Sequence, residues 1–219
     1  MKYKKASKLF FDKYALKVSI NTTLAGTFRD YSHRYLDNMV NHYESKFKSP
    51  TVKKVGHHSW TSHNVSRQDF ETFKAVHKLL KKHKNDEFSL RIESSTINVY
   101  TNDDKLLQAL IDDCKASIDT VFKPSSDKVR AYLVNNKFKI IANSKPEYKF
   151  KITVNPLRND VESFTTWAEQ LSSKIKLLQP PKYSEGYFYA LDDKVVTLCK
   201  LFLGGKIRRV DELVHESEI

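Results

Sequence analysis

The chain has 219 residues, 40% of them hydrophobic, enough to bury a core and too apolar for a disordered tail. It carries 38 Lys+Arg against 26 Asp+Glu, a net charge of +12, with only 5 Gly and 6 Pro to form linkers. No apolar run reaches the roughly 18 residues of a membrane span, and Leu9-Phe10-Phe11 after the basic start is too short for a signal-peptide core. The expectation is a cytoplasmic protein with no membrane partner. Cys114 and Cys199 sit in apolar helical patterns without metal-ligand spacing, which fits a reducing compartment.

Residues 1–12 read as a basic N-terminal tail with Lys2, Lys4, Lys5 and Lys8. Leu16, Val18 and Ile20 alternate with Lys17 and Ser19, the pattern of a half-buried strand. Residues 22–65 read as an insertion. It holds Arg29, Arg34, Lys46, Lys48, Lys53 and Lys54 among Phe28, Tyr31, Tyr35, Tyr43 and Trp60. Basic residues interleaved with aromatics suit a flexible single strand, with the cation on the phosphate and the ring on the base. The three- and four-residue spacing of Phe28, Tyr31, Tyr35, Met39 and Tyr43 equally describes the packing face of a helix. Ser66-Arg67-Gln68-Asp69 is a capping-box-like helix start, continued by Phe70, Phe73, His77 and Leu80. Phe88, Leu90 and Ile92 turn at Ser94-Ser95 into Ile97 and Val99. Asp103-Asp104-Lys105 then caps a helix through Leu110 and Cys114.

Residues 128–146 read as a connecting hairpin, with Tyr132-Leu133-Val134 and Phe138-Lys139-Ile140-Ile141 around Asn135-Asn136. The order of elements then recurs over 147–219. Phe150, Ile152 and Val154 form a strand; Val161, Phe164 and Ala168 a helix. Ile175 and Leu177 lead through Pro180-Pro181 to Phe188 and Ala190, and Asp192-Asp193-Lys194 opens a helix 89 residues after its counterpart. A last strand follows each helix, at 118–122 and 207–213. Strand, helix, strand, strand, helix occurring twice gives an α+β fold of two tandem ferredoxin-like (split βαβ) units, 13–127 and 147–219.

In that arrangement Lys17, Arg91, Asn98 and Tyr100 face outward from the first sheet. Lys149, Lys151, Lys174, Lys176, Tyr187 and Tyr189 face outward from the second. Tyrosines among lysines on an open sheet can stack bases and neutralise phosphates. With Gly186-Tyr187-Phe188-Tyr189 on its third strand, the second sheet resembles the RNA-recognition motif in how it would be used, although the rest of that family's Gly-aromatic consensus is missing. The resemblance implies RNA or single-stranded DNA as partner. The alternative is that the two sheets pack together and bury these tyrosines.

The charge supports a polyanionic partner. Residues 1–84 carry 18 Lys+Arg against 6 Asp+Glu, whereas 85–219 carry 20 of each, so the whole excess lies in the first part. The expected nucleic-acid contacts are therefore the basic residues of the tail and insertion, with Lys149, Lys151, Tyr187 and Tyr189. His57, His58 and His63 within Gly56-His57-His58-Ser59-Trp60-Thr61-Ser62-His63 are the catalytic candidates, with His as general base for RNA cleavage. Tandem ferredoxin-like units with an N-terminal histidine resemble the Cas-type endoribonucleases that process guide RNA. Of their glycine-rich C-terminal loop only Gly204-Gly205 stands here. The sequence holds no P-loop, dinucleotide fingerprint, nucleophile elbow or Cys-based zinc pattern, so neither cofactor nor metal is expected. The Lys/Asn/Ile/Tyr-rich composition suggests an AT-rich genome; separately, the sequence resembles tailed-phage proteins, which implies a phage-encoded regulator. A protein–protein or virion-assembly scaffold is the competing function, and a metal-independent ribonuclease the third.

Overall fold

The computed structural model describes residues 1–29, 32–49, 51–56, 64–83, 87–178 and 182–219. The chain is mixed α+β and divides into two compact units, Met1–Ser125 and Ser126–Ile219. Each is built on a five-stranded sheet.

The first unit runs β1 (Lys2–Lys5), β2 (Leu16–Asn21), α1 (His33–Lys46), β3 (Lys54–Gly56), β4 (Asn64–Ser66), α2 (Arg67–Lys81), β5 (Phe88–Glu93), β6 (Thr96–Thr101), α3 (Asp104–Cys114) and β7 (Ile118–Lys123). Its sheet has the order β1-β7-β2-β6-β5, and β3 and β4 form a separate antiparallel ribbon. Leu16, Val18 and Ile20 are buried toward the helices, as their alternation requires. Ser66 caps α2 by accepting from the Asp69 amide, while Asp69 accepts from the Ser66 amide, so two orphan donors of the first turn are satisfied. Phe70, Phe73, Val76 and Leu80 then recur on one buried face.

The second unit runs α4 (Asp127–Asn135), β8 (Lys139–Ala142), β9 (Phe150–Val154), α5 (Val161–Gln170), β10 (Ile175–Leu177), β11 (Gly186–Ala190), α6 (Asp193–Leu203) and β12 (Ile207–His215). Its sheet order is β10-β11-β9-β12-β8. Read from the other edge, this matches the first sheet strand for strand. The second strand of each unit (β2, β9) lies antiparallel between two others, and the first (β1, β8) runs parallel to the last. Asp103 and Asp192 occupy the same place in this order, capping α3 and α6 through the Lys105 and Val195 amides.

Two expectations are corrected. Lys2–Lys5 is not a free tail but an edge strand on β7, in register from Lys2↔Thr120 to Lys5↔Lys123. Residues 128–146 are not a connecting hairpin. Ser126 accepts from the Val129 amide and starts α4, and Val129 and Leu133, four apart, are its buried face. Asn135-Asn136 ends that helix, with the Asn136 amide donating to the Tyr132 carbonyl. Of the two readings open for the insertion, the helical packing face describes Met39 and Tyr43. Leu36, Met39, Tyr43 and Phe47 join Phe28, Phe70 and Phe73 in one buried cluster. Phe47 stacks on Phe70 at 5.5 Å, and Phe28 meets Phe73 edge-on at 5.2 Å.

Cys114 and Cys199 are free thiols inside the two cores, and burial pushes both up to about 12. No helix among the described residues is long and apolar enough to cross a membrane.

Candidate nucleic-acid interface

On β9, the side chains facing away from the helices are Lys151 and Thr153. They stand opposite Tyr189 and Tyr187 of β11, and opposite Asp211 and Arg209 of β12. Lys176 of β10 stands opposite Tyr189 on the other side. This places both tyrosines on an inner strand, between lysines. The two rings meet edge-on at 5.7 Å, and the Lys151 ammonium lies 3.7 Å from the Tyr187 centroid. Tyr187 is 40% exposed. Burial, then the neighbouring Tyr187, raises the Tyr189 phenol above its ordinary pKa, so at neutral pH it is an uncharged stacking ring. Lys176 lies 6.0 Å from the Tyr148 ring, and Arg209 sits 5.2 Å from the Phe138 ring while donating to the buried Asp211. Lys149 departs from the expected placement. Its ammonium is near Asp193 and Glu212, at 3.7 and 3.8 Å, instead of joining Lys151 on the face. Lys174 lies in the turn before β10.

The corresponding face of the first sheet is closed. Lys17 stands opposite Tyr100 and Phe122, and Ser19 opposite Asn98 and Thr120. Tyr100, Asn98, Ser19 and Thr120 are all buried, so Asn98 and Tyr100 do not face solvent as expected. The Ser19 hydroxyl donates to Asn98 at 2.7 Å, and the Asn98 amide donates to Glu93 at 3.1 Å. Phe10 packs on Tyr100 and Phe122, and Phe11 on Tyr100 at 4.8 Å. Lys17 lies over both the Tyr100 and Phe122 rings, and its pKa is lowered, first by burial and also by Arg91 and Lys4, against the opposing pull of Glu93.

Phe10 and Phe11 are held there by a tight turn. Phe11 and Asp12 have φ of 52° and 55°, and the Phe10 amide donates to the Tyr14 carbonyl. Asn102 fastens the far side of this turn, accepting from the Ala15 amide and donating to the Lys13 carbonyl, both at 2.8 Å. The second unit has Leu191 at the equivalent position.

Lys2, Lys4 and Lys5 are exposed along β1, and Lys8 follows; Lys2 and Lys4 are in register with the outward-facing Thr120 and Phe122. Arg29 and Arg34 are exposed beside and on α1, and Lys46, Lys48, Lys53 and Lys54 are exposed around its end and on β3. Sequence patterns miss the residue that orders this segment. The Arg67 guanidinium donates to the carbonyls of Phe47, Ser49 and Val52 and lies 5.1 Å from the Phe47 ring. Its partners are 15 to 20 residues away, so no local pattern announces it. The aromatics divide: Phe28 and Tyr43 are core, and Tyr35 is exposed. Tyr31 and Trp60 lie outside the described residues, as do the catalytic candidates His57, His58 and His63 and the turn residues Pro180 and Pro181. Among the described residues no group of three or more His, Cys, Asp or Glu is arranged to hold a metal ion.

No family model, no curated protein and no solved structure matches the chain.

Proposed function

We propose that the chain binds single-stranded nucleic acid, RNA or DNA, with the outer face of its second sheet as the base-stacking surface and, as a separate surface, the exposed lysines of the first unit as phosphate contacts. The observation that carries this reading is the pair Tyr187 and Tyr189 on an inner strand, with Lys151 against one ring and Lys176 beside the other. A cation over an exposed ring contributes about 0.5–1 kcal/mol. A base stacked on a ring contributes about 1–3 kcal/mol. A base therefore displaces the Lys151 ammonium from Tyr187 at a net gain, and the freed ammonium moves to the adjoining phosphate.

The fold reading that belongs with this is a tandem of ferredoxin-like units, each extended by an edge strand. The orders β7-β2-β6-β5 and β12-β9-β11-β10 support it, since each places the last strand, first, third and second side by side. In such a unit β11 is the third strand, where RNA-recognition motifs carry stacking aromatics.

Titration of labelled oligo-U, oligo-dT and a duplex by fluorescence anisotropy tests the function. The single strands should bind with an affinity that falls as salt rises, and the duplex more weakly. Absence of binding at about 50 mM salt, where phosphate attraction is strong, overturns the reading.

A further inference from the structure

The helical side of the second unit carries apolar side chains that its own fold does not use. On α6, Val195, Val196, Cys199 and Leu203 are buried against the sheet. Leu198, Leu201 and Phe202 lie on the outer side, and Leu201 is 79% exposed. Phe202 stacks on Trp167 of α5, ring centroids 4.5 Å apart and planes 12° apart, which extends the apolar surface across the groove between the helices. Exposed Leu191 stands just ahead of α6.

The first unit shows that the fold does not require these residues. Counted from the capping aspartates Asp103 and Asp192, the positions of Leu198, Leu201 and Phe202 are held on α3 by Ala109, Asp112 and Asp113. One helix presents a small residue and two carboxylates to solvent; its counterpart presents two leucines and a phenylalanine. A contiguous exposed apolar strip of this kind marks an interaction surface.

The charges beside the strip indicate the partner. Lys194 and Lys200 line α6, on or beyond its exposed crest, where the Asp193 carboxylate at the helix start lies 3.7 Å from the Lys149 ammonium, and Glu162 and Glu169 line the side of α5 turned away from α6. A surface bordered by cations on one flank and carboxylates on the other is complementary to itself. A two-fold axis running along the α5–α6 groove lays α6 of one copy across α5 of the other, so each lysine flank meets a glutamate flank, and Trp167 and Phe202 lie near the axis. That is the isologous arrangement of a closed dimer. We propose that α5 and α6 form the surface on which a second copy of this chain docks. This does not depend on the nucleic-acid reading, because the tyrosine face lies on the opposite side of the same sheet.

Sedimentation of the full chain over a range of concentrations, without nucleic acid, tests it. Wild-type protein should pass from the mass of one chain to that of two and stop there. Leu201→Asp, which copies the residue that α3 carries, should raise the dissociation constant about tenfold or more while leaving the circular dichroism spectrum unchanged, and the melting temperature unchanged at concentrations low enough that both proteins are single chains. Glu169→Lys should weaken association, and adding Lys200→Glu should restore it by exchanging the two flanks. The proposal is overturned by wild-type protein that keeps the mass of one chain throughout, by association that grows beyond two, or by Leu201→Asp associating as wild type does.

Discussion

Facing away from the helices, β2 presents Lys17 and Ser19, and β9 presents Lys151 and Thr153. Their partners correspond as well: Tyr100 opposite Lys17, and Tyr189 opposite Lys151. The outcomes differ. In the first unit Asn98 takes the place that Tyr187 holds in the second, and it pairs with Ser19 in a buried hydrogen bond and with Glu93 at the sheet surface. Phe10 and Phe11 seal that face from a turn anchored by Asn102. In the second unit Tyr187 remains 40% exposed. Equivalent backbones thus carry one face closed by packing and one left partly exposed, and the difference lies in Asn98, Asn102 and a turn outside the shared strands.

The largest effect expected from this comparison falls on the insertion, which the first unit has and the second lacks. Leu36→Ala should destabilise the first unit by about 2–5 kcal/mol in a urea melt, because Leu36 is fully buried among core side chains. A loss near zero would show that α1 is only an appendage. Tyr100→Ala should cost about 3 kcal/mol of stability for the same reason, whereas Tyr187→Ala, at a half-open site, should cost under about 1 kcal/mol. Equal costs would erase the distinction between the faces.

The strands and the capped helices are legible in the sequence because alternation and capping are local. Leu16, Val18 and Ile20, or Ser66 and Asp69, need only near neighbours to declare themselves. The state of each face is not legible. Lys17-Ser19 and Lys151-Thr153 read alike, and what separates them arrives from a turn ahead of β2, with Phe10 and Phe11, and from Asn98 and Asn102 far along the chain. The α4 segment misleads because Tyr132-Leu133-Val134 has strand-like composition. The Ser126 cap and the Val129–Leu133 spacing outweigh it. The placement of Tyr187 and Tyr189 on one outward face follows directly from their spacing of two.

A smaller effect concerns the charge. Changing Lys2, Lys4, Lys5 and Lys8 together to Ala should weaken binding to all oligonucleotides alike. It should also flatten the salt dependence, by about 0.7 in slope for each phosphate that is no longer neutralised. An unchanged slope would remove the β1 edge from the interface. The smallest effect concerns pH. Asp37 is held down to about 2, first by the hydrogen bond from Lys81 and then by that from His77. Its folded pKa lies below the ordinary carboxylate value. Its stabilising contribution is therefore complete above about pH 4 and is lost as pH falls toward about 2. Asp37→Asn should remove that part of the acid dependence, measured as melting temperature against pH; an identical profile in the variant would assign the dependence elsewhere.

The most direct test of the open-face account is an anisotropy titration of one labelled single strand with wild-type, Tyr187→Ala and Tyr100→Phe proteins at several salt concentrations. Tyr187→Ala should lose about 1–3 kcal/mol of binding with the salt slope nearly unchanged, the signature of one base left unstacked, and Tyr100→Phe should bind as wild type does. Wild-type affinity in Tyr187→Ala, or an equal loss in both variants, would contradict it.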